Sequence, residues 1–224
     1  MALFGIPWTI WLSRNERVFS NKSLPIDQIF DLAVLRIGHW AKCKWPNAIA
    51  SLSDFRRMPN EARVLPTPTG RPKSGSWEPP SNGWMKFNVD AAVKWSFGSA
   101  GIGGVLRNQD GVILLKFSKH IGRNNPTMAE LLGIVEACEI YERSSWGAAH
   151  PVLIESDSSL AVKWINNNDD APIGFKDVAS TISIKCRSNG WKVGFAYRES
   201  NDLAHAMARD GLLRRETNWI RNGG

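Results

Sequence analysis

The chain is poor in cysteine, histidine and tyrosine, and it has no long apolar run. Three Cys among 224 residues (Cys43, Cys138, Cys186) form no CxxC pair and have no His at zinc-finger spacing. That argues against a zinc module and against a disulfide-stapled scaffold. An odd, scattered set fits free thiols in a reducing, intracellular compartment, nucleus or cytoplasm. The opening ALFGIPWTIWL is apolar for only eleven residues and has no basic lead. It is too short to cross a bilayer, so neither a signal peptide nor a membrane anchor is expected. Acid is scarcer than base, with 21 Asp and Glu against 28 Lys and Arg, a net charge of +7. This excess favours an anionic partner, nucleic acid above all. What is present is a globular composition, 43% hydrophobic and 22% charged, with eleven Trp that serve as core or as stacking surfaces.

The chain divides by pattern into three parts, with no internal repeats. Residues 1–45 read as two helices, 8–19 and 25–45, the second with Ile29, Leu32, Ala33, Ile37 and Trp40 at helical spacing and Trp45 at its end. Residues 46–82 lose periodicity, and VLPTPTGRPKSGSWEPPSNG has linker chemistry. Residues 83–215 read as an α/β domain. MKFNVDAAV alternates as a strand, with Lys86, Asn88 and Asp90 on its polar face. SAGIGGVLRNQDGVILLKFSKH reads as two strands around an Asp110-Gly111 turn. A helix over 127–143, a strand over 151–156, helices over 159–167 and 175–187, the strand WKVGFAY and a helix over 200–215 complete the pattern. An early meander followed by crossovers implies one mixed sheet flanked by helices.

Acids fall where this sheet would focus them. In a helix over 127–143, Glu136, Glu139 and Arg143 share the solvent face, whereas Glu130 points with Ile134, Ala137 and Tyr141 toward the sheet. A carboxylate there needs a pair or a cation, although acid in a first turn also suits the helix dipole. In IESDSSLAVKWINN, Glu155 and Asp157 close an apolar strand, and Ser158 or Ser159 caps the helix that follows. With the first strand and strand 151–156 side by side and parallel, Asp90 and Asp157 come together, and Glu130 arrives from the helix between them. Three converging carboxylates call for a hard cation, Mg²⁺ fitting best. Asp169, Asp170, Glu136 and Glu139 read as solvated surface, and Lys163 and Trp164 as amphipathic packing. Asp202, His205 and Arg209 share one face of the last helix, where a lone His is ordinarily exposed and uninvolved.

The series FNVDAA, SAGIGGVLRNQDG, TMAELLGIVEA, IESDSSLAVKWI and YRESNDLAHAMAR resembles the ribonuclease H fold. More narrowly it resembles plant type 1 ribonuclease H-like domains found at the C-terminus of non-LTR retroelement reverse transcriptases. The likeness covers residues 84–213, and IWLSRNERVF resembles the segment that precedes the domain in such proteins. It implies a five-stranded mixed sheet, three antiparallel strands and then parallel ones, and metal-dependent cleavage of the RNA strand of RNA–DNA hybrids. The implied cofactor is a pair of Mg²⁺ ions, Mn²⁺ being an alternative, held by Asp90, Glu130 and Asp157. His205 occupies the fourth catalytic position, where many enzymes of the family have Asp. Asn88, Ala91, Gly103, Gly104, Thr127, Met128 and Asn201 are the implied substrate contacts, with Lys94 and Trp95 near the DNA strand. Gly103 and Gly104 serve equally for close strand–helix packing, and Asn201 for a helix cap. Two further departures stand out: Ala91 replaces the Gly usual after the first Asp, and Phe195 replaces a His that helps product leave. The alternatives are a binding module of the same fold without turnover, for nucleic acid or a protein, and a retroelement remnant without function.

Overall fold

The computed structural model describes residues 2–44, 55, 77–94, 97–214 and 218–221, and two units are distinguished in it. Trp45, Trp95 and most of the 46–82 segment lie outside the described residues. The first unit contains α1 (Ala2–Ser20) and α2 (Ile26–Lys44), which pack on each other. Both expected helices form, and α1 begins six residues earlier than its periodicity indicated, taking Pro7 inside it. Thr9 is buried between them and donates to Gly5 O (2.8 Å) while accepting from Arg36 Nη1 (3.2 Å). Ala33, Val34 and Ala41 are buried, whereas Phe4, Trp8, Trp11, Phe30 and Trp40 are exposed. Trp40 lies over Gly5 of α1 together with Ile37, on the face assigned to it, but is only partly covered; a pair of helices is too thin to cover every apolar stripe it carries. Among the described residues no helix is long and apolar enough to cross a membrane.

The second unit is the α/β sheet. Its strands are β1 (Met85–Val93), β2 (Gly98–Arg107), β3 (Ile113–Asn124), β4 (Val152–Ser156), β5 (Lys192–Phe195) and β6 (Asn218–Arg221), in the order β5-β4-β1-β2-β3-β6. β1 pairs antiparallel with β2 and parallel with β4, the arrangement expected from the meander and crossover pattern. Between them run α3 (Pro126–Glu142), α4 (Ser159–Asn166), α5 (Ile173–Asn189) and α6 (Asp202–Leu213). Two differences from the sequence reading are local. WKVGFAY contributes only its middle four residues to β5, and β6, pairing antiparallel with β3, extends the sheet beyond residue 215. Four residues are too few to show an alternation.

Local chemistry explains the punctuation. Gly111 takes φ +79° at the β2–β3 turn, and Asn108 Oδ1 accepts from the backbone of Asp110 and Val112 (3.1 and 2.9 Å). Asn125 caps α3 by accepting from Met128 N (2.8 Å), with Pro126 opening the helix. Ser158 caps α4. The core lies against β1, β2 and β4 and holds Phe87, Val89, Ile102, Leu131, Ile134, Ile154 and Trp164, all fully or nearly fully buried. Cys138 and Cys186, free thiols as is Cys43, are both buried in this interior, and the Cys186 thiol together with burial pushes the Cys138 thiol up.

Candidate metal centre

Asp90 sits on β1 opposite Gly103 of β2, and opposed residues of a pair point to the same face of the sheet. On that face α6 passes so close that a Cβ on Gly103 would overlap the backbone of Met207 and Ala208. The bare glycine lets the helix descend, and the descent brings His205 to Asp90, Nδ1 to Oδ2 at 2.6 Å. A second tie fixes the start of α6: Asn201 Nδ2 donates to Val89 O (2.9 Å), and His205 N donates to Asn201 O (3.0 Å). Asn201 flanks the helix without capping it by its side chain.

Glu130 enters from the second turn of α3 and is 1% exposed, so it faces inward as the helical wheel indicated. Ser156, the last residue of β4, donates its hydroxyl to Glu130 Oε2 (3.3 Å) and accepts from Ser158 N (3.1 Å). Asp157 follows immediately, half-buried between the strand and the cap of α4. Asp90, Glu130 and Asp157 each offer a carboxylate oxygen, and these atoms all lie within 4.8 Å of one another. Hard oxygen donors this close repel, and a divalent cation of the Mg²⁺ type relieves the repulsion by taking them as ligands. The donor set fits such an ion.

The remaining expected contacts separate into two groups. Ala91 and Met128 are half-buried, Thr127 is buried with its hydroxyl unpartnered, and Asn201 Oδ1 is likewise buried without a hydrogen bond. Asn88, by contrast, is used up inside the sheet. Its Oδ1 accepts from Trp77 Nε1 (2.7 Å) and Arg107 Nη1 (2.9 Å), its Nδ2 donates to Glu155 Oε2 (3.0 Å), and its backbone pairs with β2 and β4. Gly103 and Gly104 are likewise taken by packing, Gly104 against Phe117, Phe87 and the Asn88 carbonyl. Lys94 is exposed beyond the end of β1.

Several residues escaped the sequence reading. Glu155 and Asp157 are distinct in fate: Glu155 pairs with Lys86 (2.8 Å) on the same face as Asn88. Trp77 belongs to this unit rather than to a linker, with the Arg107 guanidinium over its ring at 4.5 Å. Burial lowers the Arg107 pKa, and Glu155 opposes that shift. Glu136 is not solvated surface; it is buried and paired with Lys119 of β3 (2.6 Å). Asp169 and Asp170 are exposed as expected, and Trp164 is buried.

Comparisons with known proteins agree with this architecture. A family model described as "Reverse transcriptase-like" matches residues 88–211, more than half of the chain. An Arabidopsis thaliana relative named "Putative ribonuclease H protein" is 31% identical over 137 residues, 59% of this chain and 21% of that protein. The chain thus spans about a fifth of the length of that relative. Among solved structures, LC11-RNase H1 isolated from compost has a TM-score of 0.54 at 20% identity, covering 58% of this chain and 96% of that one. RNase H1 of the archaeon Halobacterium salinarum has a TM-score of 0.50 at 23% identity, covering 58% and 98%.

Proposed function

Because this chain belongs to the reverse transcriptase-like family and carries a ribonuclease H fold, we propose that it is a divalent-metal-dependent endonuclease that cleaves the RNA strand of RNA–DNA hybrids. The observation that carries the proposal is the meeting of Asp90, Glu130 and Asp157 within 4.8 Å. LC11-RNase H1 has also been solved in complex with RNA/DNA hybrid, with a TM-score of 0.53 to this chain.

Asp90, Glu130 and Asp157 would hold the ions. Bound there, a pair of Mg²⁺ ions, or Mn²⁺ in their place, supplies a water of lowered pKa and neutralises charge at the scissile phosphate. The protein's own groups supply the rest. Ser156 fixes one oxygen of Glu130, so the carboxylate keeps its orientation before any ligand arrives. His205 does the same for Asp90. A carboxylate can only accept, so the proton of a neutral imidazole resides on Nδ1 and leaves Nε2 as an acceptor. That nitrogen belongs to a side chain 33% exposed, where it can order a water or take a proton released on attack. Ala91, Thr127, Met128 and Asn201 are the proposed hybrid contacts, reading the 2′-hydroxyl of the RNA strand.

A second reading rests on one observation. His205 Nδ1 already engages Asp90 Oδ2, and an imidazole adds no negative charge where a fourth carboxylate would, which favours a hybrid-binding module without turnover. One experiment separates the two. The purified full chain is incubated with a hybrid labelled on its RNA strand in Mg²⁺, in Mn²⁺ and in EDTA, beside Asp90→Asn. Metal-dependent RNA cuts that vanish in the variant support the nuclease. Hybrid binding without cuts in either metal rejects it and leaves the binding module.

A further inference from the structure

Two aromatic rings stand in water at the end of β5, the strand paired with the one that Asp157 follows. Phe195 and Tyr197 are 46% and 42% exposed, and their rings meet edge to face at 5.4 Å and 82°. Elsewhere in the sheet unit Phe87, Phe117, Tyr141 and Trp164 are all buried, so exposure is not the general lot of its aromatic residues. Two exposed rings in mutual contact offer a surface on which a flat aromatic group can stack.

The rings are held at the site from both directions. Phe195 is the register partner of Ser156 on the neighbouring parallel strand, and Ala196 N donates to Ser156 O (3.0 Å). Neighbouring strands lie about 4.8 Å apart, so the Phe195 backbone lies beside that of Ser156, the residue before Asp157. Downstream, the single turn Arg198–Ser200 is closed by Ser200 Oγ and Ser200 N on Tyr197 O (2.7 and 3.0 Å). Asn201 then ties to Val89 and His205 to Asp90. The pair is bracketed by backbone anchored to the acids on each side, so its position relative to them is set by the fold. Arg198 is exposed in the same turn, and the chain carries a net charge of +7.

Bases within a duplex already stack on one another and offer no free face. An unpaired base does, and stacking on aromatic side chains tolerates any base because each has a π-face. We propose that Phe195 and Tyr197 form a platform for an unpaired nucleobase, so that this chain takes hybrids carrying a single-stranded extension in preference to blunt ones. The proposal rests on the reading above only in bringing nucleic acid to the carboxylates.

The test is fluorescence anisotropy with the full chain in EDTA, where no cutting intervenes. Labelled RNA–DNA hybrids of one length are compared blunt, with a 3′ extension and with a 5′ extension, alongside a single-stranded oligonucleotide. Each variant is referred to its own blunt-hybrid affinity, and its melting temperature is measured. For the native chain one extension tightens binding about tenfold, within the range of a single stacked base. The Phe195→Ala/Tyr197→Ala variant loses this preference and weakens on the single strand, whereas Phe195→Trp keeps both. Equal affinity for blunt and extended hybrids, or a preference that survives in the double alanine variant, overturns the platform. Because nothing is cut in this assay, a chain that never cleaves hybrid yet shows the aromatic-dependent preference refutes the nuclease reading alone. A chain that cleaves blunt hybrid and shows no preference refutes the platform alone.

Discussion

The β1 and β4 strands carry two polar clusters within a few residues of each other, and the clusters are built on opposite principles. In one, acid meets base: Glu155 pairs with Lys86, Asn88 bridges Glu155 and Arg107, and Trp77 lies under the guanidinium. In the other, acid meets acid: Asp90, Glu130 and Asp157 converge within 4.8 Å. The first arrangement stabilises a fold, because its buried groups satisfy one another. The second costs stability unless a cation is taken up. Asn88 and Asp90 are two residues apart on one strand face, as are Glu155 and Asp157 in sequence, yet each pair divides between the two clusters. The difference teaches that an acid at a strand end is identified by what faces it across the sheet.

Mutations at the two clusters should therefore fail in different ways. Asp90→Asn, which keeps an acceptor for His205, is expected to lower hybrid cleavage by on the order of 10³-fold or more, about 4 kcal/mol of barrier. Single-turnover rates at saturating metal measure this, and urea melts should show the variant still folded. Glu155→Ala leaves Lys86 without its carboxylate in a poorly solvated place, with only the Glu78 carbonyl and the Trp77 ring beside it, and is expected to cost about 3 kcal/mol of stability. Urea midpoints check this, and the turnover of the protein that remains folded should be close to native. Trp77→Ala removes one hydrogen bond and two cation–π contacts, from Arg107 and Lys86, and should cost about 2 kcal/mol. The same loss should separate a chain that starts at residue 82 from one that starts at residue 77. The smallest effect sharpens the comparison instead of breaking it. His205→Asp adds acid to the acid cluster, and calorimetric titration should show metal affinity rising about tenfold, 1.4 kcal/mol, while metal-free stability falls.

The legible parts of this architecture were those with local pattern. Alternation marked β1, a helical wheel turned Glu130 inward, and the order of strands placed Asp157 beside Asp90. What was hidden depended on contacts from far along the chain. Glu136 shares the outer wheel face of α3 with Glu139, but Lys119 comes to it from β3, 17 residues upstream, and draws it into a buried pair. Trp77 sat in Pro- and Gly-rich sequence, and only the network across Asn88 shows that it belongs to the sheet unit. Glu155 could not be told from Asp157 without Lys86 opposite. His205 was legible through resemblance alone. By itself, a histidine on an amphipathic helix says nothing of the bare glycine that lets it approach an acid on β1.

The central claim, that the acid cluster is a cation site carried at a cost to the fold, is tested most directly by melting. The native chain and Asp90→Asn are melted across a Mg²⁺ titration that starts in EDTA. The account predicts that the variant melts higher without metal, that Mg²⁺ raises the native chain and hardly moves the variant, and that the two curves close as metal is added. A native melting temperature indifferent to Mg²⁺, with no gain in the metal-free variant, would contradict it.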